Sequence, residues 1–320
     1  MQMHSPQGSS SGICVIIASY NAQTTIARAI TSALAEPEAV EVVVVDDAST
    51  DKTVEAAYKA DDGSGRLSIV VQPQNAGPSA ARNRAIRESK ASWIAILDAD
   101  DFFLPGRLKG LLAYADQADF IADDMWQVPE QDVNGPRRSL LDNRLAKPKF
   151  ISFADFVLSN VTGKRNRAEL GFIKPLIRRQ FLDTNHIRYQ EHMRLGEDFE
   201  LYARSLALGA RLLLVPAQGY VSVVRRDSLS GKHTEADLLN LRNCDGVLIK
   251  EVNLPHTDKA ALRKHYVCVD CRLQWRLLIL AVKNRDIKAA FMTFLRPWPV
   301  PFYLFKQLTV NSCFAQGAFC

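Results

Sequence analysis

The segment Leu97-Asp98-Ala99-Asp100-Asp101 sets three carboxylates directly behind the apolar run Trp93-Ile94-Ala95-Ile96. Acids clustered at the end of a buried strand repel one another unless a cation or a positively charged ligand group sits among them. If strand geometry continues through Ala99, Asp98 and Asp100 point the same way, and two carboxylates could converge on one metal. A solvated acidic turn is the plainer alternative. Two other apolar runs end in a similar way: residues 13–18 lead into Ser19-Tyr20-Asn21, and residues 42–45 into Asp46-Asp47. Three strand ends that carry polar groups point to one polar site.

The elements needed to position these groups are visible in the pattern of the first 125 residues. Residues 13–18, 42–45, 67–71 and 93–97 are apolar strands, and 120–122 form a shorter one before Asp123-Asp124. Between them, residues 24–34 repeat Ile26, Ile30 and Leu34 at helical spacing, Asp51 could cap a helix through 58, Gly77-Pro78 opens a helix through 87, and 105–114 form another. Continuous apolar strands alternating with helices predict a mostly parallel sheet covered on both faces. Such sheets bind ligands outside the carboxyl ends of their strands. No G-x-G-x-x-G follows the first strand and no P-loop is present, which argues against dinucleotide oxidoreductases and phosphate-cradling NTPases. Residues 128–149 read as a loop, 150–161 and 178–182 as short helices, 172–175 as strand-like, 198–207 as a clear helix, and 211–215 and 220–224 as strands. From Glu235 onward the pattern is helical, broken at Leu254-Pro255 and Arg296-Pro297-Trp298-Pro299.

The 320 residues, 47% hydrophobic, can bury a large core. The net charge of +5 is unevenly spread: residues 1–136 hold 10 basic and 19 acidic side chains, and residues 259–320 hold 10 and 2. An acidic first part suits a metal site, and basic later parts suit pyrophosphate or an anionic membrane surface; no nucleic-acid partner is expected. Six cysteines follow no disulfide framework, and the lone Cys268-Val269-Asp270-Cys271 reads as structural. No window resembles a signal peptide or a membrane span, so a cytoplasmic protein is expected.

The motifs VIIASYN (15–21), VVVVDDASTD (42–51), NAGPSAARNRAI (75–86), WIAILDADDFFLPGRL (93–108) and RLGEDFELYARSLALGAR (194–211) resemble, in order, those of the family-two glycosyltransferases with the GT-A fold. The stretch from Lys174 to Phe199 is most similar to bacterial exopolysaccharide enzymes of the succinoglycan type. The resemblance covers residues 13 to about 230. Outside it, the Ser/Gly/Gln-rich residues 1–12, without an apolar core, read as a flexible tail, and the helical pattern of 233–320 as a C-terminal extension. The resemblance implies a GT-A catalytic domain (13–232, with a nucleotide-binding half to 125 and an acceptor half from 126). It implies that Asp47 accepts a hydrogen bond from a uracil imide, that Ala18 and Tyr20 line the base pocket, and that Arg82 lies near base or phosphate. Asp100 would ligate Mg²⁺ or Mn²⁺, Asp98 would face the ribose or a metal-bound water, and Asp101 would sit behind them. Asp198 matches the proposed catalytic base, and its place at the start of a helix favours the ionised form that a base needs; Glu197 would position the acceptor or the base.

Where many relatives carry a histidine after the strand 220–224, this sequence has Arg225-Arg226. Arg226 could neutralise pyrophosphate without a metal bond, or His233 could take the histidine's role. Asp123-Asp124 could contribute to a donor-sugar pocket or simply cap a strand; Lys174 could meet an acceptor phosphate, though a surface lysine is the default. The expected reaction is inverting transfer of a hexose from a nucleotide sugar, with UDP-hexose favoured, to an acceptor sugar hydroxyl on a polyprenyl-diphosphate-linked oligosaccharide at the cytoplasmic membrane face. A catalytically silent binding subunit and a metal-dependent nucleotidyltransferase are the alternatives; the acidic motifs speak against the first, and the missing Gly-rich signature against the second. The basic, aromatic segment 259–320 could lie on a membrane surface or pack back as core.

Overall fold

The computed structural model describes residues 12–141, 145–161, 169–225 and 234–316. Arg226 and His233 lie outside these residues. The chain divides into two compact units, one of Met1–Phe153 with Arg167–Ser228, the other of Ala154–Asn166 with Leu229–Cys320.

In the first unit the β-branched and aliphatic runs become strands of an eight-stranded sheet: β1 (Ile13–Ser19), β2 (Ala39–Asp46), β3 (Leu67–Val71), β4 (Trp93–Ile96), β6 (Phe120–Asp123), β9 (Lys149–Ile151), β10 (Leu176–Arg178) and β11 (Leu212–Val215). Their order is β3-β2-β1-β4-β10-β6-β11-β9. β10 runs antiparallel to both its neighbours, β9 antiparallel to β11, and the other pairs are parallel. Residues Ile13 to Ile17 of β1 are wholly buried, as a central parallel strand requires. The register pairs Ser19 with Asp46 and Ile16 with Ile96, so the segments after β1, β2 and β4 leave the sheet along one edge.

Helices α1 (Ile26–Leu34), α2 (Thr53–Lys59), α3 (Pro78–Glu88), α4 (Arg107–Leu112), α6 (Arg179–Thr184) and α7 (Glu197–Ala207) connect the strands. On α1, Ile26, Ala29, Ile30 and Ala33 are buried at helical spacing; each large side chain so buried contributes about 1.5–3 kcal/mol. Gly77 enters α3 at φ 91° and ψ 167°, a backbone region open in practice only to glycine.

The expected loop 128–149 is more ordered than its sequence suggests. β5 (Phe102–Phe103), β12 (Tyr220–Val224), β7 (Trp126–Pro129) and β8 (Arg138–Ser139) form a second sheet in that order. Strands of two residues carry no periodicity, and these are held by tertiary partners: Val128, Val221 and Val223 form a buried cluster flanked by Phe102, Leu104, Trp126 and Val133. Of the strand-like 172–175, Phe172 ends a 3₁₀ turn (Leu170–Phe172) and 173–175 are irregular, with β10 starting at Leu176.

The second unit contains most of α5 (Phe153–Ser159) and four further helices, α8 (Glu235–Glu251), α9 (His256–Lys283), α10 (Ile287–Phe294) and α11 (Val300–Gln316). Thr234 and Asp237 form a reciprocal capping box at the start of α8. Cys271, Leu278, Val300 and Leu304 make a buried core between α9 and α11. The Asp245 carboxylate meets the His265 ring at 2.7 Å inside this unit. Among the described residues no helix is long and apolar enough to cross a membrane.

Candidate active site

Helix α3 does more than follow a strand. Ser79, Arg82 and Asn83 fall on one face, three and four residues apart, and each reaches the chain that leads into α7. Ser79 Oγ donates to the Met193 carbonyl at 3.0 Å, and Asn83 Nδ2 donates to the Tyr189 carbonyl at 2.9 Å while its Oδ1 accepts from the Tyr189 N–H at 2.9 Å. Arg82 lies 5.4 Å over the Tyr189 ring. One helical face thereby fixes the entry of α7, where Gly196 turns the chain at φ 70° and Glu197-Asp198 begin the helix.

Arg82 joins that end of the sheet to α7. Its Nη2 donates to Asp98 Oδ1 at 2.8 Å and its Nη1 to Glu197 Oε1 at 2.9 Å, with Asp198 Oδ1 at 3.6 Å. Lys174 Nζ sits between the other two oxygens, 2.9 Å from Asp98 Oδ2 and 2.7 Å from Asp198 Oδ2. Tyr189 Oη donates to Asp198 Oδ1 at 3.0 Å. Two cations, both buried, thus face three carboxylates, of which Asp98 keeps 30% of its side chain exposed.

The electrostatics follow. Burial disfavours a charged Asp98, but the Lys174 ammonium and the Arg82 guanidinium outweigh it and hold this carboxyl well below the usual carboxylate range. Burial likewise opposes the Lys174 charge, and Asp198 and Asp98 more than restore it, raising its pKa. Burial and the Asp198 charge push the Tyr189 hydroxyl up, so it remains a hydrogen-bond donor.

One expectation changes here. Lys174 is not at the surface: it is 6% exposed, and its carbonyl accepts from the fully buried Arg107 at 2.6 Å. Asp98 and Asp100 are engaged differently: each Asp98 oxygen already meets a cation, Arg82 on Oδ1 and Lys174 on Oδ2, and Asp100 is the less engaged of the two acids. Burial and the Asp98 charge push its carboxyl up, against the pull of Arg225, whose Nη1 lies 3.2 Å from Asp100 Oδ2. A cleft of about 200 Å³ opens beside it, lined by Thr24, Thr25, Arg28, Glu130 and Arg225 among others.

Among the described residues no three His, Cys, Asp or Glu side chains gather to hold a metal by protein groups alone. A single carboxylate completed by ligand oxygens is nonetheless an ordinary arrangement for Mg²⁺ at a phosphate site. Asp100, with its negative charge raised in energy by its surroundings, fits that chemistry.

The other expected residues stand as follows. Asp47 is buried and accepts three hydrogen bonds, from Gln72 Nε2 (2.6 Å), Ala76 N (2.8 Å) and Gly77 N (2.7 Å), which fix the turn into α3. One acceptor position of the carboxylate, on Oδ2, is left for a ligand. Tyr20 is half-exposed at the end of β1 and Ala18 is partly buried. Asp101 accepts from Tyr220 Oη and the Val223 N–H, both at 2.8 Å, and so ties the segment after β4 to β12. Asp123 caps the β11–β12 connection, accepting from the N–H groups of Gln218, Gly219 and Tyr220 while pairing with Arg107 at 2.8 Å. Asp124 accepts from Ser139 Oγ and from the Leu141 N–H at 3.1 Å.

Asn21 and the residues after β2 complete the edge. The Asn21 side chain accepts from the Thr50 N–H at 2.9 Å and its N–H donates to Ser49 Oγ at 2.9 Å, joining the ends of β1 and β2. Asn21 and Ala48 both hold positive φ, 50° and 59°. For Ala48 this conformation costs about 1 kcal/mol or more, the kind of strain found at ligand-binding edges.

An acidic D-x-D edge on a mostly parallel sheet, joined to a second acidic pair at a helix start, defines a GT-A glycosyltransferase. The fold is matched by the solved structure of S. aureus TarS residues 1-349 in complex with UDP-GlcNAc, with a TM-score of 0.64 at 18% identity over 88% of this chain and 90% of that one. Residues 14–190 match the family model for glycosyl transferase family 2, and the chain belongs to this family. It is 47% identical to the succinoglycan biosynthesis protein ExoU of Rhizobium meliloti over 275 residues, 86% of this chain and 80% of that protein. It is 38% identical to ExoO of the same organism over 220 residues, 68% and 62% of the two chains. Over 103 residues, 32% of this chain and 40% of the other, it is 31% identical to the Escherichia coli UDP-Glc:alpha-D-GlcNAc-diphosphoundecaprenol beta-1,3-glucosyltransferase WfaP.

Proposed function

We propose that this glycosyltransferase moves a hexosyl group from a UDP-sugar to a hydroxyl of a lipid-linked oligosaccharide, with inversion at the anomeric carbon, in exopolysaccharide synthesis at the cytoplasmic face of the membrane. The single observation that carries the chemistry is Asp198, buried at the start of α7 and hydrogen-bonded by Lys174 and Tyr189. The names of its relatives support the setting: two act in succinoglycan biosynthesis, and one uses UDP-Glc and a diphosphoundecaprenol acceptor.

Asp198 is the base. Lys174 Nζ lies 2.7 Å from its Oδ2 and Arg82 Nη1 3.6 Å from its Oδ1, and the carboxylate sits at the positive end of α7. Each oxygen keeps an acceptor position beyond the bonds described, so a hydroxyl proton can transfer to it as the new glycosidic bond forms. Glu197, held by Arg82, positions the acceptor beside the base. Asp98 stays ionised and is oriented by two cations, a fixed acceptor for the ribose; Arg82 acts by orienting Asp98 and Glu197. Asp47, Tyr20 and Ala18 receive the uracil. Asp100 would hold Mg²⁺ or Mn²⁺, which when bound neutralises charge on the departing diphosphate. Arg225 stands ready for the same diphosphate, a planar donor matched to phosphate oxygens.

Titration calorimetry with UDP in Mn²⁺ tests the donor site. Asp100→Asn should abolish the metal-dependent part of UDP affinity and transfer from a UDP-hexose, with the melting temperature of the free protein little changed. Unaltered metal-dependent binding in that variant would remove Asp100 from the site.

A further inference from the structure

Helices α10 and α11 each have two apolar sides. The inner side is accounted for: Val300 and Leu304 of α11 are buried with Cys271 and Leu278 of α9, and Ala290, Phe294 and Tyr303 pack against them. The outer side is not. Ile287 is 85% exposed, Phe291 62%, Trp298 74%, Phe302 56% and Phe305 60%. These are not scattered residues. Phe305 meets the ring of Phe294, itself packed on that buried inner cluster, at 5.1 Å between centres, and Trp298 meets Phe302 at 5.3 Å, both pairs tilted, so the exposed rings of the two helices and the turn between them adjoin one another. Contiguous exposed apolar surface of this kind marks a place of interaction.

The charges around it select the occupant. Between residues 283 and 309 the chain carries Lys283, Arg285, Lys288, Arg296 and Lys306, all exposed, against the single acid Asp286. Asp286 is engaged in capping α10 through the Ala289 N–H at 2.8 Å. An aromatic face rimmed by cations matches the boundary of an anionic bilayer, where rings settle at headgroup depth and Lys and Arg meet lipid phosphates. A second copy of this same basic surface would bring like charges together. Among the described residues no helix can cross a bilayer, so the arrangement suits a pair of helices lying in its interface.

We propose that the outer face of α10 and α11 docks this protein on anionic phospholipid. The proposal rests on the lipid-linked acceptor only for its purpose; the surface itself is tested without donor or acceptor. Purified full-length protein is sedimented with vesicles of phosphatidylcholine alone and with added phosphatidylglycerol, at low and high salt. Binding should require phosphatidylglycerol and fall steeply between 0.05 and 0.5 M NaCl, by roughly tenfold or more. The variant Trp298→Ser/Phe302→Ser/Phe305→Ser should lose binding at least about tenfold while keeping its melting temperature and its hydrolysis of UDP-sugar. Lys288→Glu/Arg296→Glu/Lys306→Glu, which leaves the aromatic face whole, should likewise lose binding to the phosphatidylglycerol vesicles. Failure of the wild-type chain to bind phosphatidylglycerol vesicles at low salt overturns the proposal, as does a dimer in solution that the serine variant dissociates while vesicle binding is unchanged. Vesicle binding without any UDP-sugar hydrolysis would instead count against the donor assignment and leave the surface standing.

Discussion

Replacing Lys174 by Met keeps most of the aliphatic stem and removes only the ammonium. In the wild type Arg82 and Lys174 face Asp98, Glu197 and Asp198, leaving one excess negative charge; the variant leaves two, with Asp98 and Asp198 linked through Arg82 alone and its longer 3.6 Å contact to Asp198. Breaking a buried ion pair by removing one partner costs about 3–5 kcal/mol. Asp198 is nearly buried, but the Asp98 side chain is 30% exposed and recovers part of the loss by hydration, so the low end, about 3 kcal/mol, is expected. Scanning calorimetry should show the melting temperature lowered by roughly 4–7 °C. A second readout separates the site from mere packing. Lys174 is the stronger of the two cations that hold the Asp98 carboxyl low, so in the variant this carboxyl protonates at higher pH. UDP affinity, followed by calorimetry as pH is lowered, should therefore collapse at a higher pH in Lys174→Met than in the wild type. Lys174→Arg, which keeps the charge, should recover part of both effects. A Lys174→Met protein within about 1 kcal/mol of wild type, with an unshifted acid limb, would refute the buried bridge.

Asp198→Asn should lower hexosyl transfer by about 10²–10⁴-fold with UDP affinity nearly unchanged, checked by comparing product formation with calorimetric binding. Asp98→Asn should destabilise the protein most at neutral pH. The wild-type carboxyl is depressed on folding, so its contribution is complete above the unfolded pKa of about 4 and declines as pH falls below it; the gap in melting temperature should narrow there. Gly77→Ala forces a Cβ onto φ 91° and ψ 167° and should cost about 1–3 kcal/mol, read as a lowered melting temperature. It should also weaken UDP binding, because the Gly77 N–H is one of the three donors that fix Asp47.

The carboxyl-edge residues were legible because the strands that end in them are long and apolar. β1, β2 and β4 announce themselves by composition, and Asp47, Asp98 and Asp100 follow at once. The Glu197-Asp198 pair was legible from its motif and its helix start. Lys174 was not: lysine is ordinarily a surface residue, and its partners are 76 and 24 positions away, beyond any local pattern. A usable signal existed in the clustered acids, which required cations that only a distant segment could provide. Arg82 was found but its destination was not, since the resemblance pointed to a ligand and the structure joins it to carboxylates. The second sheet escaped notice because β5 and β8 have two residues each and draw their conformation from neighbours.

The place of β10 has a consequence for how the molecule is made. It lies between β4 and β6, antiparallel to both, yet it is synthesised more than fifty residues after β6. A nascent chain that has emerged only as far as β6 has the components of a nucleotide-binding half but cannot close its sheet, and the apolar edge of β4 stays open meanwhile. Long-range pairing of this kind is slow to form. The same insertion brings Lys174 within reach of Asp98, which until then can meet only Arg82, so closure of the sheet and completion of the charge pairing at its acidic edge are one event: Asp98 gains its second cation only when the chain has been made past Lys174, shortly before the segment that delivers the base.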